Sequence, residues 1–286
     1  MGFGSDTGLA RRSLRSFCPI PLRQRTPRTR TVLVLGLIVL VVGSAPPSDL
    51  SGIRHEVGSV PSLVAIINSS APADDVFSGQ YCAGTLVEPA LVITAAHCVD
   101  SRPSSRINVV IGASNLCRTG PIDGTRNAVT RLRIDPRYDR VSGSYDVALL
   151  ELVAPASQAP RTIGTLPLVG GEDAFALGWG TASLQGVPTC RPTLVPLRVV
   201  APSACAAELA GAVGHSFNSV TMLCAVPRAE PKIDTCLGDS GGPLVLGNDV
   251  ATGPLIGIVS WGVGCGKGAP GVYAIPQWAD EMGFGF

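Results

Sequence analysis

Three short words in this 286-residue chain hold residues whose types could do covalent chemistry together: "DTCLGDSGGP", "ITAAHCVD" and "SYDVALLEL". They contain Ser240, His97 and Asp146. A serine hydroxyl is a weak nucleophile until an imidazole accepts its proton. The imidazole in turn needs a carboxylate to fix its tautomer and stabilise its charged form. Two glycines follow Ser240. Glycine lets backbone N–H groups turn toward one point, as a site for a developing oxyanion requires.

Each word has an ordinary reading by itself. "AAHC" could hold a core histidine, Asp146 could cap a turn, and "GDSGG" also fits the G-x-S-x-G elbow of lipases and esterases. That elbow needs its histidine after the serine. The histidines are His55, His97 and His215, all before Ser240, so the elbow reading fails. Taken jointly, the three words favour a nucleophile, a base and an orienting acid.

The elements available to position them are short strands. "SLVAII", "AGTLVEPALVITAA", "NVVIG", "AVTRLRI", "DVALLEL" and "LVPLRVV" are apolar, β-branched runs broken by Gly, Pro, Ser and Asp. "SACAAELAGAV" (203–213) reads as one short helix. Many short strands at close spacing predict an all-β protein of the barrel or sandwich kind. "VAPASQAP" (153–160) is the best mid-chain linker. It divides the chain into halves at about 53–154 and 161–286.

Composition agrees: 45% hydrophobic, 15% charged, with 34 glycines and 24 prolines, as in a turn-rich globular β protein. Residues 1–45 hold seven arginines and one aspartate, a net +6, while the rest carries 15 basic and 20 acidic residues, a net −5. That balance excludes a basic nucleic-acid surface on the main domain. The arginine-rich start, the apolar "TVLVLGLIVLVVG" and the exit "GSA" read as a secretory signal, cut after Ala45. The apolar run is short for a membrane span, which needs roughly 20 residues; membrane contact requires that the leader be retained. Beyond Cys18 in the leader, eight cysteines remain, an even number that suits an oxidising, extracellular or periplasmic compartment.

Words and order together closely resemble the trypsin/chymotrypsin family of serine endopeptidases, from about Gly58 to Pro276. "CAGTLV", "GWG" (178–180), "IVSWGVGCG" (258–266) and "GVYAIP" match that family as well. The resemblance implies two antiparallel six-stranded β-barrels with the active site in the cleft between them. It implies no cofactor, with polypeptide substrates and possible proteinaceous inhibitors as partners; the loop "GASNLCRTG" lacks the acidic residues of a calcium-binding loop, so no metal is expected. The resemblance assigns the oxyanion hole to the N–H groups of Gly238 and Ser240, and a supporting role beside Asp146 to Ser260. Asp234, six residues before Ser240, falls at the floor of the primary specificity pocket. With Trp261 and the small wall residues Gly262 and Gly271, it implies cleavage after Arg or Lys. The pairings implied are Cys82–Cys98, Cys205–Cys224 and Cys236–Cys265, leaving Cys117 and Cys190 to each other. A binding module without turnover is the rival class, and its usual sign, a substituted triad residue, is absent.

The chain departs from the resemblance in two places. "QWADEMGFGF" is shorter than the usual terminal helix. Family members are cut before an "IVGG"-like start, and the new α-amine pairs with the aspartate preceding the serine, here Asp239. No such motif exists near Asp49–Glu56. Two partners for Asp239 stay open: an amine such as that of Ile53, or a side chain from Arg54 or His55.

Overall fold

The computed structural model describes residues 55–282, apart from 119, 165–166, 182–185, 212–214, 229–233 and 266–268. The proposed leader, Ile53 and Arg54 lie outside the described residues. The region from Pro47 to Phe286 is one compact unit. No helix among the described residues is long and apolar enough to cross a membrane.

The first barrel is a closed antiparallel ring. Its strands are β2 (Leu63–Asn68), β3 (Gln80–Glu88), β4 (Leu91–Thr94), β5 (Ile107–Ile111), β6 (Thr125–Ile134) and β7 (Ala148–Leu152), joined in the order β2-β3-β4-β7-β6-β5. β2, β4 and β5 are apolar along nearly their whole length and buried on both faces. Closure gives every strand a partner on each side, which leaves no edge exposed.

The second barrel uses β8 (Asp173–Gly178), β9 (Thr193–Val200), β10 (Met222–Pro227), β11 (Pro243–Leu246), β12 (Leu255–Gly262) and β13 (Gly271–Ala274). It closes through the β8–β9 pairing, which returns the order β9-β10-β13-β12-β11-β8 onto itself. Two antiparallel six-stranded barrels are therefore present, as the sequence led us to expect. Among the described residues there is one α-helix, α1, covering Pro202–Glu208. Of the 203–213 expected, it ends at Glu208, Gly211 follows at φ +91°, and 212–213 lie outside the described residues.

The division into halves differs from the expectation at both ends. The short strand β1 (His55–Glu56) pairs with Leu194 and Thr193 of β9, so it belongs to the second barrel. The last described residues form a 3-10 turn, Pro276–Met282. Its Ala279 and Met282 pack into the cluster that holds the first barrel's core. The first and last described elements thus each reach the barrel other than the one nearest in sequence.

Four disulfides form: Cys82–Cys98, Cys117–Cys190, Cys205–Cys224 and Cys236–Cys265. The second ties the loop after β5 to the entry of β9, one barrel to the other. Arg161 does the same from the linker. It is buried, and donates to Ser62 Oγ at 3.0 Å and to the carbonyls of Val250 (2.8 Å) and Gly253.

Candidate active site

His97 lies in a 3-10 turn, Ala96–Cys98, directly after β4. The extended backbone of Ala95 ends the strand, and the Cys82–Cys98 disulfide fastens the turn back onto β3. Asp146 sits just before β7, in a tight turn closed by Val147 N–H donating to Tyr145 C=O at 2.7 Å. Tyr145 holds φ +54°, the one positive value among described non-glycine residues. Such a conformation costs of order 1–3 kcal/mol and persists only where the surroundings impose it. Here the Arg137 guanidinium stacks 4.1 Å above the Tyr145 ring, and Trp278 meets that ring edge-on at 5.5 Å. Arg137 is itself fixed by a bidentate pair with the buried Asp135, at 2.9 and 2.8 Å.

That turn brings Asp146 under His97. Its Oδ1 accepts the His97 backbone N–H at 2.8 Å, and its Oδ2 is 2.7 Å from His97 Nδ1. Ser260 Oγ, from β12 of the other barrel, donates to the same Oδ2 at 2.6 Å. Burial alone would raise the Asp146 carboxyl, yet the His97 hydrogen bond, the His97 charge and the Ser260 hydroxyl together hold it below the ordinary carboxylate range. Burial works against charge on His97 too, but the Asp146 hydrogen bond and charge, helped by Asp100, raise it above the ordinary histidine value. Nδ1 faces the carboxylate, so Nε2 is the nitrogen left to exchange a proton.

Ser240 lies in the loop between β10 and β11, bracketed by Gly238 at φ +95° and Gly241 at φ +77°. At Gly241 a Cβ would stand 2.1 Å from Thr94 Oγ1 and 3.2 Å from the Ala95 nitrogen. Only glycine lets this loop approach the strand that delivers His97. Among the described residues the Ser240 hydroxyl makes no hydrogen bond to His97, a contact that commonly tightens only when substrate binds. The N–H groups of Asp239, Gly241 and Gly242 are spent on backbone carbonyls, whereas those of Gly238 and Ser240 donate to none among the described residues. Leu237 C=O accepts from Thr181 N–H at 2.9 Å. Because the peptide is planar and trans, this turns the Gly238 N–H the opposite way. Two neighbouring donors are thus presented together beside the serine.

Asp239 is buried, with Oδ1 accepting from Gly180 N–H at 2.8 Å and Oδ2 from Cys236 N–H at 3.0 Å. Its carboxylate lies directly on "GWG": a Cβ at Gly178 or Gly180 would come within 2.3 or 2.5 Å of it. Of the partners weighed for Asp239, only His55 falls among the described residues, where it pairs along β9.

A cavity of about 260 Å³ opens beside Ser240, with Asp234 in its wall and Ser260, Trp261, Gly262 and Gly271 around it. Asp234 is buried, and its Oδ1 accepts from Thr235 N–H at 2.7 Å. A Cβ at Gly271 would stand 3.1 Å from both Asp234 oxygens, while one at Gly262 would meet nothing nearer than 3.9 Å. The Cys236–Cys265 disulfide closes the cavity's rim. Among the described residues, one histidine–cysteine group is tight enough for a metal: Cys82, His97 and Cys98. Its two sulfurs are already bonded to each other.

The sequence matches the family model of trypsin over residues 50–277. The chain belongs to the trypsin family. A trypsin of Saccharopolyspora erythraea is 37% identical over 204 residues, covering 68% of this chain and 82% of that protein. A trypsin of Sarcophaga bullata is 32% identical over 264 residues, covering 88% and 97%. The solved structure of the Vibrio cholerae VesB protease superposes with a TM-score of 0.66 at 28% identity, over 81% of this chain and 66% of that one. As a trypsin-family member the protein is a serine endopeptidase, a hydrolase acting on polypeptides.

Within that trypsin fold the structure brings His97 and Asp146 into contact, and sets Ser240, Asp234, Ser260, Trp261, Gly262 and Gly271 around one cavity. It also adds residues that the sequence did not signal. His215, read from sequence as a surface residue, bonds Val141 C=O at 3.1 Å and stacks on Trp261 with ring centroids 5.0 Å apart. It lines both the Asp234 cavity and a second one of about 220 Å³ that reaches His97. Thr181, outside every motif, and Tyr145, whose backbone conformation nothing in "SYDVALLEL" signals, touch the site through the contacts described.

Proposed function

We propose that the protein is an exported endopeptidase that hydrolyses peptide bonds after Arg or Lys through an acyl-enzyme. His97 Nε2 takes the Ser240 proton as Oγ attacks the scissile carbonyl carbon. The carbonyl oxygen becomes an oxyanion and accepts from the Gly238 and Ser240 N–H groups. His97 then gives its proton to the departing amine, leaving the acyl group on Ser240. A water molecule, deprotonated by the same imidazole, releases the acid and restores the serine. Asp146 holds the imidazole tautomer and stabilises its charged state, with Ser260 keeping the carboxylate ionised. Removing one oxyanion donor in enzymes of this type costs about 2.7–4 kcal/mol of barrier.

The observation that carries the specificity is the buried Asp234 carboxylate in the wall of the Ser240 cavity, between two glycines. A long cationic side chain fits such a cavity, and a carboxylate there favours it over neutral ones. Export is supported by the leader, removed after Ala45, and by four disulfides. Polypeptide substrates and proteinaceous inhibitors are the partners, with no nucleic acid.

The test pairs a serine-directed fluorophosphonate with peptidyl-Arg, -Lys and -Phe substrates. Wild type is labelled and Ser240→Ala is not; Asp234→Ser stays labelled but loses most activity on Arg substrates. Equal wild-type rates on Phe and Arg substrates would remove the specificity, and labelling of Ser240→Ala would remove the nucleophile.

A further inference from the structure

The loop that carries the two oxyanion donors belongs to the second barrel, yet both of their carbonyls are gripped by one strand of the first. Ala83 N–H donates to Ser240 C=O at 2.7 Å. Three residues earlier in β3, Gln80 Nε2 donates to Gly238 C=O at 3.0 Å, across 158 positions of sequence. The same Nε2 also donates to Cys82 C=O at 3.1 Å, which fixes the amide in the plane where it meets both oxygens. A register shift in the β2–β3 ladder falls at this point, between Ile66 and Ile67 opposite Cys82 and Gln80. Such an irregularity re-aims a side chain at the rim of a barrel.

Gly238 needs this grip. At φ +95° it occupies a region where glycine has several accessible conformations, so nothing in its own chemistry selects one. Two peptide planes meet at its Cα. The 237–238 plane is set by Thr181 N–H on Leu237 C=O. The 238–239 plane is set by the Gln80 amide. The Gly238 N–H lies in the first plane, and fixing the second stops the flexible glycine from letting that plane rotate about its Cα. A donor that must be aimed before charge develops gains its catalytic effect from that preorganisation.

We propose that Gln80 is a positioning residue for catalysis: its amide, by holding the Gly238 carbonyl, orients the Gly238 N–H toward the oxyanion. The proposal rests on the oxyanion-hole assignment above. It makes β3 a common support, since Cys82 in the same strand is bonded to Cys98 next to His97. Base and oxyanion donors are thereby referenced to one element.

Gln80→Met keeps length and removes the donor. A neutral hydrogen bond contributes about 0.5–1.5 kcal/mol, so kcat should fall by up to about tenfold. KM for a peptidyl-Arg substrate and the affinity for benzamidine, which reads only the Asp234 cavity, should stay as in wild type. Affinity for a peptidyl-arginine aldehyde, whose adduct bears the oxyanion, should fall in step with kcat. Gln80→Glu provides the second reading, because its carboxylate repels the Gly238 carbonyl while its protonated form donates to it. The ratio of its kcat to that of wild type should rise as pH falls below the carboxyl range. Wild-type kcat in Gln80→Met, equal losses of aldehyde and benzamidine affinity, or a flat ratio for Gln80→Glu would each overturn the proposal. A wild-type enzyme inert toward Arg substrates would instead sink the functional reading beneath it.

Discussion

The two glycines lining the Asp234 cavity are not equivalent, and a methyl group added to each in turn should separate carboxylate placement from cavity width. Neither has a positive φ, so alanine adds contact and not backbone strain. At Gly271 the new Cβ lies 3.1 Å from both Asp234 oxygens and 3.2 Å from Tyr273 Oη, inside ordinary van der Waals contact. The carboxylate has to give by a few tenths of an ångström, although it is buried and held by Thr235 N–H at 2.7 Å. A shift of that size spoils a charge-assisted hydrogen bond to an incoming guanidinium, worth about 1.5–3 kcal/mol, or roughly 10- to 100-fold. At Gly262 the nearest atom is 3.9 Å away, so the protein accepts the methyl unchanged. Benzamidine affinity, kcat/KM on a peptidyl-Arg amide and the fluorophosphonate labelling rate should be measured on both variants. Gly271→Ala should lose benzamidine affinity and kcat/KM together and keep its labelling rate, because Ser240 and His97 are untouched. Gly262→Ala should keep wild-type thermal stability and lose less benzamidine affinity than Gly271→Ala. Wild-type benzamidine affinity in Gly271→Ala would refute the reasoning, and so would a labelling rate that falls as far as kcat/KM.

The proposed mechanism needs neutral His97, whose value is raised, so kcat/KM should drop as pH falls through a point above 6.5. Asp146→Asn removes the main cause and leaves burial opposed only by the more distant Asp100, so in a pH–rate profile the acid limb should move downward. The folding stability contributed by the His97–Asp146 pair follows the same sign: present in full below the unfolded histidine value, and lost as pH rises through the folded one. Burial lowers Arg161 to about 10, and it is held by two loop carbonyls and Ser62. Arg161→Met should cost about 2 kcal/mol net, a fall of roughly 4–8 °C in Tm by calorimetry. An unchanged Tm would show that the inter-barrel bonds only balance the cost of burying the charge.

What could be read in the sequence followed from locality. The strands β2, β4, β5 and β7 are nearly continuous apolar runs whose burial needs little beyond their own composition, and β3 and β9 carry enough β-branched and apolar residues to show despite Gly84 and Pro196. "DAFALG", "MLCAVP" and "PLVL" carry Gly, Cys or Pro within a few residues, and closure of the second barrel makes them strands. The triad words were legible because each packs its reacting group and its small neighbours into a few consecutive positions. Gln80 and Thr181 were not, because their roles are hydrogen bonds to residues 158 and 56 positions away. Tyr145 was hidden differently: a tyrosine before an aspartate carries no sign of φ +54° until Arg137 and Trp278 are placed around it.

The same contacts explain why the site stands at the seam and in neither barrel. A closed sheet fills its interior with side chains and offers chemistry only at its rim. In the proposed mechanism the base and its acid come from the rim of the first barrel, the nucleophile and the cavity from the second. Their mutual distances are therefore set by bonds that cross the seam in both directions. Ala83 and Gln80 of the first barrel hold the Ser240 loop, while Ser260 of the second holds the Asp146 carboxylate at 2.6 Å. Sliding one barrel against the other by an ångström breaks both sets together, and loses oxyanion donors and imidazole orientation in one step. The apolar cores cross the seam as well: Leu255, Ile258 and Ala274 of the second barrel pack in one cluster with Val92 and Leu149 of the first, and Phe175, Leu177 and Val245 pack with Leu63, Ala65 and Val110. A slip of the barrels therefore costs apolar packing too, so loosening the seam should lower activity and thermal stability together.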